Sequence, residues 1–223
     1  MVVKRGVLRS EVQSMILEQL TEGRWKPGQR LSIEALARDF EVSPTPVREA
    51  LVSLEQYGSI QYFANRGYVV ADPPSAEQFG ELIDARQLLE GAALSRAFEE
   101  WSGFVVDLRS SHAVHADAVS AIDAEDGVDY AHILHYFNAD AEFHASFFRH
   151  ARNRYLTSMR RNLGWDALRM RQTWAHGPER VDAGEALAEH SEILRRVEEH
   201  NHDGALRALS VHLENVRTRS GGK

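Results

Sequence analysis

The stretch VSPTPVREALVSLEQYG, Val42–Gly58, predicts an amphipathic helix with a defined beginning and end. Thr45 can cap its amino end, Pro46 suits its first position, and Gly58 suits the position after its last turn. Residues three or four apart on a helix share a face, so periodicity indicates which side chains point inward. On this helix they are Val47, Leu51 and Leu54.

The segments on either side of this helix complete a known order of elements. Residues 9–23 predict a first helix, and Ser32 can cap a short second helix after the loop WKPGQRLS. Residues 60–70 predict two short strands around Asn65-Arg66-Gly67, which is a hairpin signal. Helix, short helix, turn, helix and hairpin is the order of a winged helix-turn-helix, whose third helix enters the major groove of DNA.

Candidate DNA contacts lie at the start of the third helix and at the tip of the hairpin. Arg48 lies one turn into that helix, while Ser43 and Thr45 lie at its beginning, where hydroxyls and backbone amides can meet phosphate. Arg66 lies at the tip of the wing. A small helical module for protein contacts is the alternative on spacing alone, because helix-turn-helix patterns are generic.

Charge divides the chain into two segments of different chemistry. The net charge is −7, yet residues 1–72 hold 9 Lys/Arg and 9 Asp/Glu, whereas residues 73–223 hold 17 and 24, together with all 11 histidines. Pro73-Pro74 lies at the junction, where a Pro pair blocks helix continuation and stiffens a short connection. We expect a DNA-binding domain over residues 1–72, a linker over 73–76 and a second domain over 77–219.

Composition excludes several classes of protein. The chain has no cysteine, which removes disulfides, thiolate catalysis and cysteine zinc sites. It has no run of about 18 apolar residues, and its amino end lacks the apolar core of a signal peptide. We therefore expect a cytoplasmic protein that does not enter a membrane.

The second segment is helical in pattern, with no alternating strand signal. Six helices are predicted, with breaks at Ser102-Gly103, Asp126-Gly127, Asn153, Gly177-Pro178 and Asn201, and with Asp203 as the N-cap of the last. They cover residues 76–101, 104–124, 128–151, 153–175, 179–200 and 203–219. The predicted fold class is mostly α: a winged helix-turn-helix followed by an all-helical bundle of about six helices.

Three of these helices carry ionisable residues on their apolar faces. Asp140 and His144 lie one turn apart on the third helix, His190 lies on the stripe of the fifth, and His212 on that of the sixth. A buried, unpaired carboxylate is costly, and charged histidines would repel one another. A divalent metal resolves both problems, because it takes neutral imidazoles and an ionised Asp as ligands. Without thiolates, such a set suits Zn²⁺, Ni²⁺, Fe²⁺ or Mn²⁺.

Periodicity alone leaves this assignment open. Each inward histidine could be a hydrogen-bonded core residue, and Asp140 and His144 could simply form a pair. His112 and His115 fit an apolar stripe of the second bundle helix equally well and therefore compete as ligands.

The first segment resembles the N-terminal domain of GntR-family bacterial transcription regulators. The resemblance rests on PGQRLSIEALARDFEVSPTPVREALVSLEQYGSI and the closing NRGYVV. It implies DNA contacts at Ser43, Thr45, Arg48, Arg66 and Gly67. The family often has Arg where this chain has Glu34 and Pro44, and Gly where it has Glu41, so two DNA contacts are absent and Glu34 can repel phosphate.

The second segment, over about residues 77–215, resembles the FCD domain of one GntR subgroup. The matching motifs are ARQLLE (Arg86, Glu90), DAEFHASFFRHARN (Asp140, His144, Asn153), EHSEIL (His190) and HLEN (His212). The resemblance implies that Asp140, His144, His190 and His212 bind a divalent transition metal, with zinc preferred and nickel, iron or manganese as alternatives. His112 and His115 have no counterpart in the pattern and are left out.

Together these features predict a ligand-responsive transcription regulator. The resemblance implies a homodimer on a palindromic operator of double-stranded DNA, usually as a repressor. A small organic acid could complete the coordination sphere, with Arg86 and Asn153 as effector-binding residues, although Arg86 could equally form an ion pair with Glu90. The alternatives are a metal-dependent enzyme that activates water, for which no positioned general base is found, and a purely structural metal.

Overall fold

The computed structural model describes residues 5–21, 23–56, 58–123, 130–165 and 181–220. These residues fall into two compact units, one ending at Pro73 and the other beginning at Pro74.

The first unit packs helices against a small antiparallel sheet. Strand β3 lies in the middle of the sheet, with Tyr68 opposite Leu31 on one side and Tyr62 on the other. The described elements are α1 (Arg5–Thr21), β1 (Arg30–Leu31), α2 (Ile33–Asp39), α3 (Pro44–Gln56), β2 (Ile60–Phe63) and β3 (Gly67–Val70). This arrangement confirms the winged helix-turn-helix and adds β1, which the sequence analysis assigned to a loop.

Local signals explain most boundaries of the first unit. Ser32 caps α2 by accepting a hydrogen bond from the Ala35 amide at 3.3 Å, as predicted. Gly58 follows α3 with a φ of +72°, a left-handed conformation that glycine adopts without penalty. Helix α3 begins at Pro44 rather than after Thr45, because a proline lacks only an amide that the first turn would leave unpaired. Thr45 therefore lies inside the first turn.

The second unit is a bundle whose five long helices close a ring. Helix α4 packs against α6 and α9, α5 packs against α6 and α8, and α8 packs against α9. The described helices are α4 (Ala76–Ala97), α5 (Trp101–Asp123), α6 (Tyr130–His150), α7 (Arg154–Leu163), α8 (Ala183–Glu198) and α9 (His202–Ser220), with a 3-10 turn at Phe98–Glu100. The ring gives each long helix one face toward a common centre.

Three predicted helix boundaries in this unit are wrong. The first break is the 3-10 turn before Trp101, so Ser102-Gly103 lies inside α5. Helix α7 ends at Leu163 because Gly164 takes a φ of +58°, whereas the prediction continued it to residue 175. The last helix is capped by Asn201 and not by Asp203, since the Asn201 Oδ1 accepts from the Gly204 amide at 2.9 Å. The predicted breaks at Asp126-Gly127 and Gly177-Pro178 lie outside the described residues.

None of the described helices is both long enough and apolar enough to cross a bilayer.

Candidate functional site

A cluster of ionisable side chains occupies the centre of the helical ring. Every one of the five long helices contributes to it, and no member is more than 5% exposed. The members are Arg86 and Glu90 of α4, His115 of α5, Asp140 and His144 of α6, His190 of α8 and His212 of α9. Such burial is costly unless the groups satisfy one another or hold an ion.

His190 lies at the middle of this cluster. Its Nε2 is 3.4 Å from Nε2 of His212 and 3.8 Å from Oδ1 of Asp140. One set of three donors, from His144, His190 and His212, has its atoms within 4.8 Å of one another, and a second set, from His115, Asp140 and His190, does so as well. The structure therefore brings the four predicted ligands together around one imidazole.

Two of the imidazoles are oriented by carboxylates. Nδ1 of His144 lies 2.7 Å from Oε2 of Glu90, and Nδ1 of His212 lies 2.8 Å from Oε2 of Glu189. In each ring this leaves Nε2 for the interior. Both nitrogens of His144 are buried, and its Nδ1 contact with Glu90 is a close ion-pair distance rather than a well-aligned hydrogen bond. A carboxylate on the far nitrogen of a histidine is the usual outer support of a metal ligand. The donor set thus fits a divalent cation.

Glu90 is held ionised although it is fully buried. Burial alone would raise its pKa, but Arg86 and His144 outweigh that effect and lower the pKa of Glu90 to about 2. The Arg86 Nε lies 2.6 Å from Glu90 Oε1, and its guanidinium carbon lies 5.0 Å from the centroid of the Trp165 ring. Arg86 therefore balances the charge of a carboxylate whose second oxygen faces His144.

His212 is held neutral. Burial lowers the pKa of His212 to about 4, even though its partner Glu189 acts in the opposite direction. Glu189 is itself fixed by Arg219, at 2.6 Å, and by the Asn215 amide, at 2.7 Å. Burial alone would raise the pKa of Glu189, but the hydrogen bonds from Arg219, His212 and Asn215 outweigh it and lower the pKa to about 2. A neutral imidazole is the form that can bind a metal.

The two residues predicted to bind the effector have other partners. Arg86 forms the ion pair with Glu90 that the sequence analysis left open as the alternative. Asn153 caps α7, because its Oδ1 accepts from the amides of Tyr155 at 3.0 Å and Leu156 at 3.2 Å. Binding of an effector by either residue stays a prediction.

His115 is the member of the cluster that the sequence analysis left out. It is fully buried, and its Nδ1 lies 3.0 Å from Nδ1 of His190. Its rival His112 is only partly buried and bonds Ser191 Oγ at 2.8 Å instead. The periodicity of α5 marked both residues, and only the packing of α8 against α5 separates them. Glu189 was missed because nothing in its spacing indicates that it reaches His212.

The predicted DNA contacts are exposed on the winged unit. Ser43 directly precedes α3, Thr45 and Arg48 lie in its first turns, and all three side chains are exposed. Arg66 is exposed in the turn of the hairpin, and Gly67 opens β3 with a φ of +75°. The start of a helix offers free amides to phosphate, so this placement suits a groove-reading helix.

Two residues that depart from the GntR pattern have visible effects on this surface. The pKa of Glu34 is lowered first by its own backbone amide, then by Ser32, and further by the charges of Arg30 and Arg48. Its negative charge therefore lies within electrostatic reach of Arg48. Glu41 takes a φ of +54°, a conformation that favours glycine over other residues.

Comparison with known proteins assigns both units. The description "Bacterial regulatory proteins, gntR family" matches residues 8–70, and the FCD domain matches residues 81–215.

The chain belongs to the GntR family, with an FCD domain.

This GntR protein matches transcription regulators over most of its own length and of theirs. It is 26% identical to the Uxu operon transcriptional regulator of Escherichia coli (strain K12), over 94% of this chain and 85% of that protein. It is 27% identical to the HTH-type transcriptional regulator LutR of Bacillus subtilis (strain 168), over 88% of this chain and 94% of that protein.

Solved structures support the same fold. The E. coli protein McbR/YncC superposes with a TM-score of 0.65 at 21% identity, over 96% of this chain and 95% of that one. A GntR protein from Rhodococcus sp. RHA1 gives 0.67 at 21% identity, over 95% of this chain and 96% of that one. The family makes this chain a DNA-binding transcription regulator and rules out the enzyme considered above.

Proposed function

We propose that this GntR regulator holds a divalent transition-metal ion in its helical domain and senses a small organic acid there. Asp140, His144, His190 and His212 would be the ligands. The observation that carries the proposal is the orientation of His144 and His212, each held by a carboxylate at Nδ1 and each directing Nε2 toward the cluster. Core histidines that served packing alone would not need two buried or half-buried carboxylates behind them.

The donor set favours zinc among the candidate ions. Three imidazole nitrogens and one carboxylate oxygen suit zinc, and they also suit nickel, iron or manganese. The residues around the site prepare the donors for any of these ions. Burial keeps His212 neutral. The ionised carboxylates of Glu90 and Glu189 make the imidazoles of His144 and His212, respectively, more basic.

Effector sensing would use the same centre. A small carboxylate could take a coordination position that the four protein ligands do not fill. To regulate, it must bind one conformation of the protein better than another, and that preference must change how the recognition helices meet DNA. We propose a homodimer on a palindromic operator, because dimeric helix-turn-helix proteins read two half-sites. A repressor role is part of the same proposal, because repression is what the resemblance to this family usually implies.

The metal proposal is tested by elemental analysis of the purified protein. We expect about one transition-metal ion per chain, with most of it lost in His144→Ala and in His190→Ala, because each remaining donor set lacks one bond. His112→Ala is the matched control, since His112 bonds Ser191 outside the cluster and should leave the metal content unchanged. Full metal content in both ligand variants would refute the site.

The effector proposal needs a second measurement. Operator binding is followed with metal-loaded and metal-free protein, each with and without a panel of small organic acids. We expect at least one acid to change operator affinity only in the metal-loaded protein. An acid that acts equally on both forms would make the metal structural, and it would move the sensing role to Arg86 or another polar group.

A further inference from the structure

The three inward imidazoles share one arrangement, in which Nδ1 points outward to a second group. For His144 that group is Glu90, and for His212 it is Glu189. For His190 it is His115, whose Nδ1 lies 3.0 Å away. We infer that His115 is a positioning residue for the metal centre, the third outer support, which selects the nitrogen that His190 presents to the ion. This inference rests on the proposed metal site.

The contact between the two imidazoles restricts their protonation. Only one proton can lie between two Nδ1 atoms, so one ring donates and the other accepts. If His190 donates, its Nε2 carries a lone pair toward His212 and Asp140, which are 3.4 Å and 3.8 Å away. His115 then accepts through Nδ1 and carries its own proton on Nε2. This pair of tautomers leaves His190 ready to bind a cation.

Stacking alone does not fix which nitrogen of His190 faces inward. The His190 ring lies against Phe143 with centroids 4.1 Å apart and planes within 9°. Such a stack holds the plane of an imidazole, but turning the ring over leaves the stack nearly unchanged, because this torsion is close to two-fold. The hydrogen bond to His115 distinguishes the two orientations. The ring of His115 packs against Tyr136, with centroids 5.3 Å apart, so the acceptor of this hydrogen bond has a fixed place.

The chemistry of the third support differs from that of the other two. Glu90 and Glu189 are ionised carboxylates, which raise the basicity of the imidazole they contact. A neutral imidazole carries no charge and raises it less. His190 would thus be the weakest of the three nitrogen ligands. Support for this one ligand should therefore control how firmly the ion is held.

The test compares variants of His115 by metal affinity and by spectrum. Zn²⁺ affinity is measured by competition with a chelator, and Co²⁺ is used as a probe whose visible absorption reports the number of ligands. We expect His115→Leu to weaken Zn²⁺ binding about 10- to 100-fold, the usual loss for an outer support. The Co²⁺ absorption should keep the wild-type shape, since the ligands are unchanged. His115→Gln should recover most of the affinity, because its amide oxygen can accept from Nδ1 of His190.

The control variant is His112→Leu, one turn away on the same helix, which should bind Zn²⁺ as the wild type does. Wild-type affinity in His115→Leu would overturn the inference and leave His115 a packing residue. A Co²⁺ spectrum showing one ligand fewer would overturn it as well, because His115 would then bind the ion directly. Should the wild type itself take up neither ion, the proposed metal centre fails, and the two failures are thereby distinguished. Circular dichroism of each variant checks that the bundle is folded.

Discussion

The two units of this regulator bury different kinds of side chain. Among the described residues, the buried positions of the winged unit are apolar apart from Ser59. Those of the helical unit include Arg86, the carboxylates of Glu90 and Asp140, and four histidines at its centre. The ion pairs differ too. Arg24 and Asp39 of the winged unit are each nearly half exposed, while Arg86 and Glu90 are 3% and 0% exposed.

This difference sets what each unit depends on. An apolar core is stabilised by the removal of its surface from water, and it needs no particular ion or protonation state. A core of ionisable groups is stable only while each charge has its partner, so it responds to pH, to metal and to single substitutions. The stability of the helical unit should therefore depend on solution conditions more strongly than that of the winged unit.

The largest expected effect comes from breaking the buried ion pair. Glu90→Leu leaves Arg86 buried without its carboxylate and removes the support of His144, so we expect a loss of about 3–5 kcal/mol from the helical unit. The exposed pair gives the comparison, since Asp39→Ala should cost less than about 1 kcal/mol. Hydrogen exchange of the full chain measures each unit separately. Equal losses in the two units would contradict the contrast.

Acid should destabilise the helical unit of the metal-free protein. The pKa of His212 is lowered from 6.5 to about 4, so the unfolded chain binds a proton first as the pH falls. The contribution of His212 to the free energy of unfolding is therefore complete above about pH 6.5. It falls by about 3 kcal/mol as the pH is lowered to about 4. Below pH 4.5 the ionised Glu90, whose pKa is about 2, adds a loss of the same sign.

Urea unfolding at a series of pH values measures this dependence. His212→Gln is the control, because it removes the titrating ring and should flatten the slope between pH 6.5 and 4. A slope that persists in this variant would assign the effect to other groups.

DNA affinity should depend on a charge of the winged unit and not on a matched charge of the helical unit. Arg48→Ala should cost about 1–3 kcal/mol at the operator if the side chain reads a base edge. Arg109→Ala removes the same charge from an exposed ion pair of the helical unit and should change affinity little. A gel-shift titration of both variants decides, and equal affinities for the two would remove Arg48 from the recognition surface.

The smallest effect is expected at Glu34, and it has the opposite sign. Glu34→Gln removes a negative charge within electrostatic reach of Arg48, so we expect operator binding to tighten slightly. The gain should shrink in high salt, because exposed charges are screened. Weaker binding in this variant would instead mean that Glu34 holds Arg48 in its reading position.

The sequence predicted those features that local spacing encodes. Helix α3, the glycine at its end and the wing are each encoded by a few neighbouring residues. The period of a helix predicts the inward positions of Asp140, His144, His190 and His212. Strand β1 was not predicted, because it has only two residues and because Val69, which pairs with Arg30, lies far along the chain.

The roles of His115 and Glu189 as outer supports were not predicted either, because their partners lie on other helices. His112 and His115 lie one turn apart on α5 and both contact α8, and no local signal says which of them meets His190 rather than Ser191. Glu189 is the neighbour of His190 in sequence, yet it reaches His212 of another helix. Such pairings are decided by how helices pack and not by any one of them.

The closed ring of helices has a consequence for synthesis. Helix α9 packs against α4, which begins the bundle, and against α8, and it supplies both His212 and the arginine that fixes Glu189. Domains fold as units while the chain emerges from the ribosome, amino end first. The winged unit can therefore be complete while translation continues, whereas the ring stays open until its last helix has left the exit tunnel. In a nascent chain the DNA-binding unit would thus be folded before the buried histidine cluster of the helical unit is assembled.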